Sequence, residues 1–367
     1  MKIGIDGVPL TIPFPCGTKN YAQGLISALA KIDKKNEYLI FASQKVSIPK
    51  QKNFRFVQIP SFIPILKRQI FLPFFAKKES LDIFHYLEPF GSVIFKHPKI
   101  VTTIHDNNLN YTYPWVSKFL LKRLYCEFTK GAVINNSAAL LVDSRTIQKE
   151  VKEYLKNREI YPMVYAALLG YNHHFRVIKK YKNRKSKFFL GMGDFAPRKN
   201  LVSVLKGYKL LPEEIKYSHK LKIISSTKES ALRFRSLAEK YAISNNIDFL
   251  ENVTQERLIK LYNEASCFLY PSLYEGFGIP ILEAFACGCP VITSNYGAMK
   301  ETAGDAALLV DPKDPKKIMS SMKRITESNK LRNKLIVRGI KRVKEFSWKK
   351  TAGETLKAYE KLYNARV

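Results

Sequence analysis

The chain has 367 residues, 46% of them hydrophobic, and carries 62 Lys plus Arg against 31 Asp plus Glu, a formal net charge of +31. Such a length holds two domains of ordinary size with sizeable cores. The lack of any run of about eighteen apolar residues excludes a membrane-spanning helix, and the charge excess favours anionic surfaces. Residues 2–6 read as a strand, not as a signal peptide. A long loop over 7–17 follows, with Pro9, Pro13 and Pro15. Thr18 is placed to cap a helix whose apolar positions, Tyr21, Leu25, Leu29 and Ile32, recur at helical spacing. Short apolar runs at 38–42, 81–86, 100–104 and 139–142, and again at 188–190, 221–224, 267–270 and 291–293, are predicted strands. Helical stretches separate most of them. That alternation predicts an α/β protein with parallel sheets covered by helices.

Seven of the twelve residues from Arg176 to Lys187 are Lys or Arg. This reads as a solvated linker and divides the chain into 1–175 and 176–347, with a predicted helix over 348–367. The five cysteines, Cys16, Cys126, Cys267, Cys287 and Cys289, are odd in number and scattered, which predicts reduced thiols in a cytoplasmic protein. Cys287-Gly288-Cys289 has no partner cluster nearby, so these cysteines read as small packing residues, with no metal expected.

Residues 274–301 carry the most chemistry. After the strand at 267–270 and Pro271, the segment 272–279 has loop character, because Gly276 and Gly278 open backbone angles closed to other residues. Pro280 suits a first helical position and Gly288 the position just past a helix end. In a strand–loop–helix–strand unit the loop lies at the carboxyl end of the strand, where open α/β sheets bind ligands. The N–H groups of Gly276, Phe277, Gly278 and Ile279, together with the helix dipole, suit a diphosphate. Glu283, about one turn into the helix, is placed to accept hydrogen bonds from a ribose diol. Glu275 lies nearer the phosphate tail, where a sugar would sit. A lone Gly-x-Gly would more simply be a tight turn with a capping Glu; the full run goes beyond that.

Glu275 and Glu283 resemble the Glu-x7-Glu signature of the family-four retaining glycosyltransferases. Pro271-Ser272-Leu273-Tyr274 before it, and Gly304-Asp305-Ala306-Ala307 and Val310-Asp311-Pro312 after it, support the likeness. The resemblance covers nearly the whole chain and is weakest between about residues 45 and 95. It implies the GT-B fold: two Rossmann-like domains facing across a cleft, with the 348–367 segment crossing back to the N-terminal domain. The C-terminal domain would hold a nucleotide sugar and the N-terminal domain most of the acceptor.

The segment Gly193-Asp194-Phe195-Ala196-Pro197-Arg198-Lys199-Asn200 follows the first strand of the second domain and places Arg198 and Lys199 where a diphosphate can be clamped. Neutralising the leaving group there would speed cleavage of the sugar–phosphate bond. It resembles the family's Pro-Arg-Lys-Asn stretch, but Asp194 stands where many relatives carry Arg. By the same resemblance, Gly17 brings backbone N–H groups to the distal phosphate, although Gly17-Thr18-Lys19-Asn20 lacks the second adjacent glycine of many relatives. His105, followed by Asp106 at the end of the 100–104 strand, resembles the family's histidine that contacts the transferred sugar or the acceptor.

The resemblance implies transfer of a hexose, with retention, from a nucleotide diphosphate sugar such as GDP-mannose or a UDP-sugar to a glycan or lipid-linked acceptor. Glu275, His105, Lys199 and Arg198 would be catalytic. Glu283, Gly276, Phe277, Gly278, Ile279, Gly193 and Gly17 would bind the donor. No Asp-x-Asp triplet occurs, which fits a site where cations and helix dipoles replace a divalent metal; no cofactor is expected. Residues 61–78 mix apolar side chains with Lys67, Arg68, Lys77 and Lys78, a pattern that suits the anionic inner face of a membrane as well as a core helix. A GT-B phosphorylase or a nucleotide-sugar epimerase remains an alternative. So does a basic nucleic-acid-binding protein, though neither zinc-finger spacing nor an RNA-recognition aromatic motif is present.

Overall fold

The computed structural model describes residues 1–13, 16–60, 67–95, 99–105, 120–182, 187–225 and 227–365. Within them the apolar runs become parallel strands, buried on both faces as helix-covered sheets require. The chain divides into two units, Met1–Gly170 with Ser347–Val367, and Tyr171–Phe346.

The first unit is built on β1 Lys2–Asp6, β2 Glu37–Ala42, β3 Phe54–Gln58, β4 Ile83–Tyr86, β5 Lys99–Ile104, β6 Ala139–Val142 and β7 Met163–Ala166. They form one seven-stranded sheet in the order β3-β2-β1-β4-β5-β6-β7, every pair parallel. The helix predicted near Thr18 runs over Gly17–Ile32 and buries Tyr21, Leu25 and Leu29. It starts two residues earlier than a Thr18 cap allows. Cys16 occupies the cap position without a side-chain hydrogen bond, and Thr18 lies inside the first turn.

The last helix, Trp348–Asn364, belongs to this unit and packs on the Gly17–Ile32 helix. Gly24 makes room for it: a Cβ there would fall 2.3 Å from the Trp348 ring. Ser347 caps the helix by accepting from the Lys350 N–H, and the Thr351 hydroxyl donates to the Leu168 carbonyl at 2.6 Å. Deeper down, a buried polar chain joins Tyr359 Oη to His85 Nδ1 at 2.6 Å, His85 Nε2 to Thr103 Oγ1 at 2.7 Å, and Thr103 Oγ1 to Tyr21 Oη at 2.9 Å. Burial pushes His85 down to about 3, so the imidazole is neutral, with one N–H and one lone pair. Hydroxyls on both sides satisfy either tautomer.

The second unit contains β8 Phe188–Met192, β9 Lys220–Ile224, β10 Ile247–Leu250, β11 Cys267–Tyr270, β12 Val291–Ser294 and β13 Leu308–Val310. The order β10-β9-β8-β11-β12-β13, all parallel, is doubly wound: chain order reverses at β8, and β11 pairs on its other side. The loops after β8 and β11 therefore flank the switch point.

Four strands, β3, β7, β10 and β13, were not among the predicted runs, and each is an edge strand. The helix after β11 spans Ile279–Ala286, with Gly278 at its cap and Pro280 in second rather than first position, and Gly288 past its end has φ +70°. Cys267, Cys287 and Cys289 are buried free thiols. No helix among the described residues is long and apolar enough to cross a membrane. Of the basic stretch 61–78, residues 61–66 lie outside the described part. In the rest, Leu72 and Ala76 enter the core while Ile70 and Phe74 are exposed. Asp106 and residues 183–186 of the basic linker also lie outside it.

Candidate active site

The loop between β11 and the Ile279–Ala286 helix is stitched to its surroundings through backbone atoms. The Leu273 N–H donates to the Arg198 carbonyl at 2.7 Å, Thr293 Oγ1 donates to the Tyr270 carbonyl at 2.8 Å, and Thr302 Oγ1 donates to the Phe277 carbonyl at 2.6 Å. Gly278 has φ +105°, and a Cβ on it would meet Met299 Cε at 2.8 Å, so glycine is required twice over. None of the N–H groups of Gly276, Phe277, Gly278 and Ile279 meets an acceptor among the described residues. Buried N–H groups are nearly always paired. An unpaired run at a helix N-terminus, where the dipole adds positive potential, is receptive to an anion.

Arg198 and Lys199 follow β8, and both turn to Glu275. Arg198 Nη1 lies 2.8 Å from Glu275 Oε2, and Lys199 Nζ lies 2.7 Å from Oε1. Lys199 also donates to Tyr270 Oη at 2.8 Å, and that hydroxyl donates to Glu275 Oε1 at 3.2 Å. Burial pushes the Glu275 carboxyl up, but Lys199 and Arg198 outweigh it and hold the group below the ordinary carboxylate range. Burial likewise opposes the Lys199 charge, and Tyr270 and Glu275 override it, so its pKa is raised. Two cations against one carboxylate leave the cluster with a net positive charge.

Gly193, at φ +153°, permits this arrangement, since a Cβ there would sit 3.0 Å from Lys199 Cβ. Asn200 gives the site a residue whose role the sequence reading did not assign. It adopts the left-handed conformation at φ 57°, which asparagine tolerates. Its amide donates to the Pro271 carbonyl at 2.9 Å and to the Pro312 carbonyl at 2.7 Å, tying together the loops after β8, β11 and β13. Tyr270 was likewise missed as a polar partner. Its position at a strand end was the one available signal.

Glu283 lies within the Ile279–Ala286 helix and is 9% exposed. Burial raises its carboxyl to about 7, with the neighbouring Tyr262 hydroxyl pulling weakly the other way. No cation pairs with it among the described residues, and Tyr262 Oη is itself buried without a well-formed hydrogen bond. Gly193, Arg198, Lys199, Glu275, the 276–279 amides and Glu283 thus all belong to the second unit, on the loops and helix that follow β8 and β11.

Gly17 and His105 belong to the first unit. Gly17 is the first residue of its helix, and a Cβ there would meet nothing within 4 Å. His105 follows β5. Its Nδ1 lies 2.9 Å from Asp143 Oδ2 and its Nε2 lies 2.9 Å from the Leu87 carbonyl. Burial would lower the imidazole, but Asp143, with help from Glu88 and the Leu87 carbonyl, lifts it to about 9. A carboxylate on one side and a carbonyl on the other require both nitrogens to carry protons. His105 is therefore a fixed cation with its two donors engaged.

These features define a class: an α/β protein of two doubly wound, Rossmann-like units, the second with an anion-receptive loop at its switch point. Comparison with known proteins sharpens this. Residues 175–342 match the model of the family Glycosyl transferases group 1. The chain is 37% identical over 188 residues to the O-antigen chain mannosyltransferase B of Escherichia coli, covering 51% of this chain and 49% of that protein. It is 29% identical over 226 residues to the O-antigen chain mannosyltransferase RfbU of Salmonella typhimurium, covering 61% of this chain and 60% of the other. The chain thus spans about half the length of the first of these relatives and somewhat more of the second.

Among solved structures, it superposes over its whole length on sucrose-phosphate synthase from Thermosynechococcus elongatus (all of that chain, TM-score 0.77, 20% identity). It does so equally on WaaG, a glycosyltransferase involved in lipopolysaccharide biosynthesis (all of that chain, TM-score 0.73, 16% identity). The fold is GT-B, and residues 175–342, nearly all of the second unit, carry the match to the group 1 glycosyltransferases.

Proposed function

We propose that this protein transfers a hexose, with mannose favoured, from a nucleotide diphosphate sugar to a glycan or lipid-linked acceptor, with retention at the anomeric carbon. One observation carries the proposal: four unpaired N–H groups from Gly276 to Ile279 adjoin a net-positive Arg198–Glu275–Lys199 cluster. The diphosphate sits on those amides and draws Arg198 and Lys199 toward its oxygens. Glu275, released in part from the two cations, accepts hydrogen bonds from sugar hydroxyls. Glu283 takes the ribose diol. The acceptor oxygen bonds to the anomeric carbon on the face from which the phosphate oxygen departs. That oxygen leaves with the bonding electron pair and receives the acceptor's proton. Arg198, Lys199 and the amides stabilise the charge that develops on it. Held below the ordinary carboxylate range by its cations, Glu275 suits orientation better than covalent attack.

The preference for mannose is supported by the names of the relatives, O-antigen chain mannosyltransferases. A cytoplasmic enzyme resting on an anionic membrane is supported by exposed Ile70 and Phe74 beside Lys77 and Lys78, with Lys78 Nζ 4.6 Å from the Phe74 ring centre. The test is a thermal-shift screen of the full chain with nucleoside diphosphates and their sugars. A ligand at a hundred times its Kd contributes about 2.7 kcal/mol. Stabilisation by one nucleotide sugar, with nucleoside diphosphate released when acceptor is added, is the expected result. No stabilisation by any of them would end the proposal.

A further inference from the structure

We infer that Thr302 is a positioning residue for the donor loop: its hydroxyl locks the peptide between Phe277 and Gly278 in the orientation that presents the Gly278 N–H to a bound phosphate. This rests on the donor-site proposal above.

Thr302 lies in the helix Gly297–Ala303 and is fully buried, as is Phe277. Its Oγ1 donates to the Phe277 carbonyl at 2.6 Å. In a trans peptide the C=O and the next N–H point in opposite directions. Holding the Phe277 carbonyl against Thr302 therefore turns the Gly278 N–H away from that helix, where no described residue accepts from it. A peptide flip exchanges the two directions at the expense of ψ of one residue and φ of the next. With glycine next, the flip is cheap, because glycine crosses between positive and negative φ freely. A flipped peptide would aim a carbonyl oxygen at the anion and repel it. Gly278 is needed for the close approach of Met299, so the loop cannot be stiffened by a larger residue and requires an external lock.

Thr302 is itself held from behind. Arg342 Nε donates to its carbonyl at 3.1 Å, and Arg342 Nη2 donates to the Glu301 carbonyl at 2.6 Å. The Phe277 ring packs edge-on against Phe346, with centroids 5.6 Å apart. The peptide is thus clamped at its carbonyl and its side chain while its partner N–H is left to a ligand.

The test compares wild type, Thr302→Val and Thr302→Ser in the full chain. Calorimetry would measure the affinity of GDP or UDP, whichever stabilises wild type, and of the matching nucleoside without phosphates. Valine keeps the shape and removes the donor; serine restores it. The expected result is that T302V loses about tenfold in diphosphate affinity, keeps its affinity for the nucleoside within about twofold, and is rescued by T302S. A purely structural role would lower the melting midpoint without changing the ratio of diphosphate to nucleoside affinity. Diphosphate affinity of T302V within about twofold of wild type overturns the lock and leaves the donor site standing, whereas wild type that binds neither nucleotide sinks the donor site itself. Should T302V fail to fold, glycine-selective NMR of wild type decides. A Gly278 amide resonance that shifts downfield on adding the diphosphate sustains the inference, and one that does not move overturns it.

Discussion

Replacing Glu283 by Gln is expected to stabilise the protein in the absence of nucleotide and to weaken donor binding, and the stabilisation should depend on pH. The carboxyl is buried, unpaired by any described cation, and raised by that burial from its ordinary 4.5 to about 7. The folded state therefore keeps a proton that the unfolded chain has already released. Across the window from about 4.5 to about 7, stability falls as pH rises, and it levels off above the folded value. At about 1.4 kcal/mol for each tenfold in the proton equilibrium, the displacement is worth about 3 kcal/mol. Glutamine has nearly the same shape and no charge, so it removes this cost. Urea unfolding of wild type and E283Q at pH 5 and pH 8 should show a gap that widens by about 2–3 kcal/mol toward the higher pH. The same variant lacks the carboxylate that a ribose diol would donate to, and its nucleoside diphosphate affinity should drop about tenfold. Wild-type affinity should rise as pH passes through about 7, since the ionised form is the acceptor. Parallel pH profiles for the two proteins would refute the buried-acid reasoning. Unchanged nucleotide affinity in E283Q would refute the ribose assignment.

Gly193→Ala places a methyl 3.0 Å from Lys199 Cβ at φ +153°. It should cost about 1–3 kcal/mol of strain and depress diphosphate affinity more than nucleoside affinity, measured by denaturation and calorimetry. Tyr359→Phe removes the hydroxyl 2.6 Å from buried His85 Nδ1. The orphaned ring nitrogen should lower stability by about 1–3 kcal/mol, seen as an earlier urea midpoint with nucleotide affinity unchanged. Flotation should recover the protein with anionic vesicles and not with neutral ones, and Phe74→Ser should reduce the recovery; equal recovery with both lipids would remove the membrane proposal.

The central strands were legible because they are buried on both faces and leave unbroken apolar runs such as Cys267–Tyr270. The edge strands were not, for a physical reason. Phe54–Gln58 mixes buried Phe54 and Val57 with exposed Arg55 and Gln58, and Met163–Ala166 is only half-buried throughout, so neither shows the uniform signal of a covered strand. Within the candidate site, Gly278 and the acidic pair stood out because their spacing is local. The ion pairs from Arg198 and Lys199 to Glu275 could not be read in advance, because 77 residues separate Arg198 from Glu275 and only the pairing of β8 with β11 brings them together. Asn200 was quoted within a motif without a role, since its carbonyl partners come from Pro271 and Pro312. The Gly17–Ile32 helix began earlier than expected because Cys16, which offers no capping side chain, took the cap position.

Because the Trp348–Asn364 helix completes the unit that holds residues 1–170, the ribosome releases the two parts of that core with all of Tyr171–Phe346 in between. Its seven strands are all made by Ala166, yet the cover over Tyr21 and Gly24 and the hydroxyl partner of His85 emerge only after the whole second unit. Tyr171–Phe346 is synthesised whole in between and can form its own core while the earlier unit waits. A nascent chain arrested before Trp348 would leave an apolar helix face and a histidine nitrogen uncovered, making the Trp348–Asn364 helix the piece that closes this unit's core.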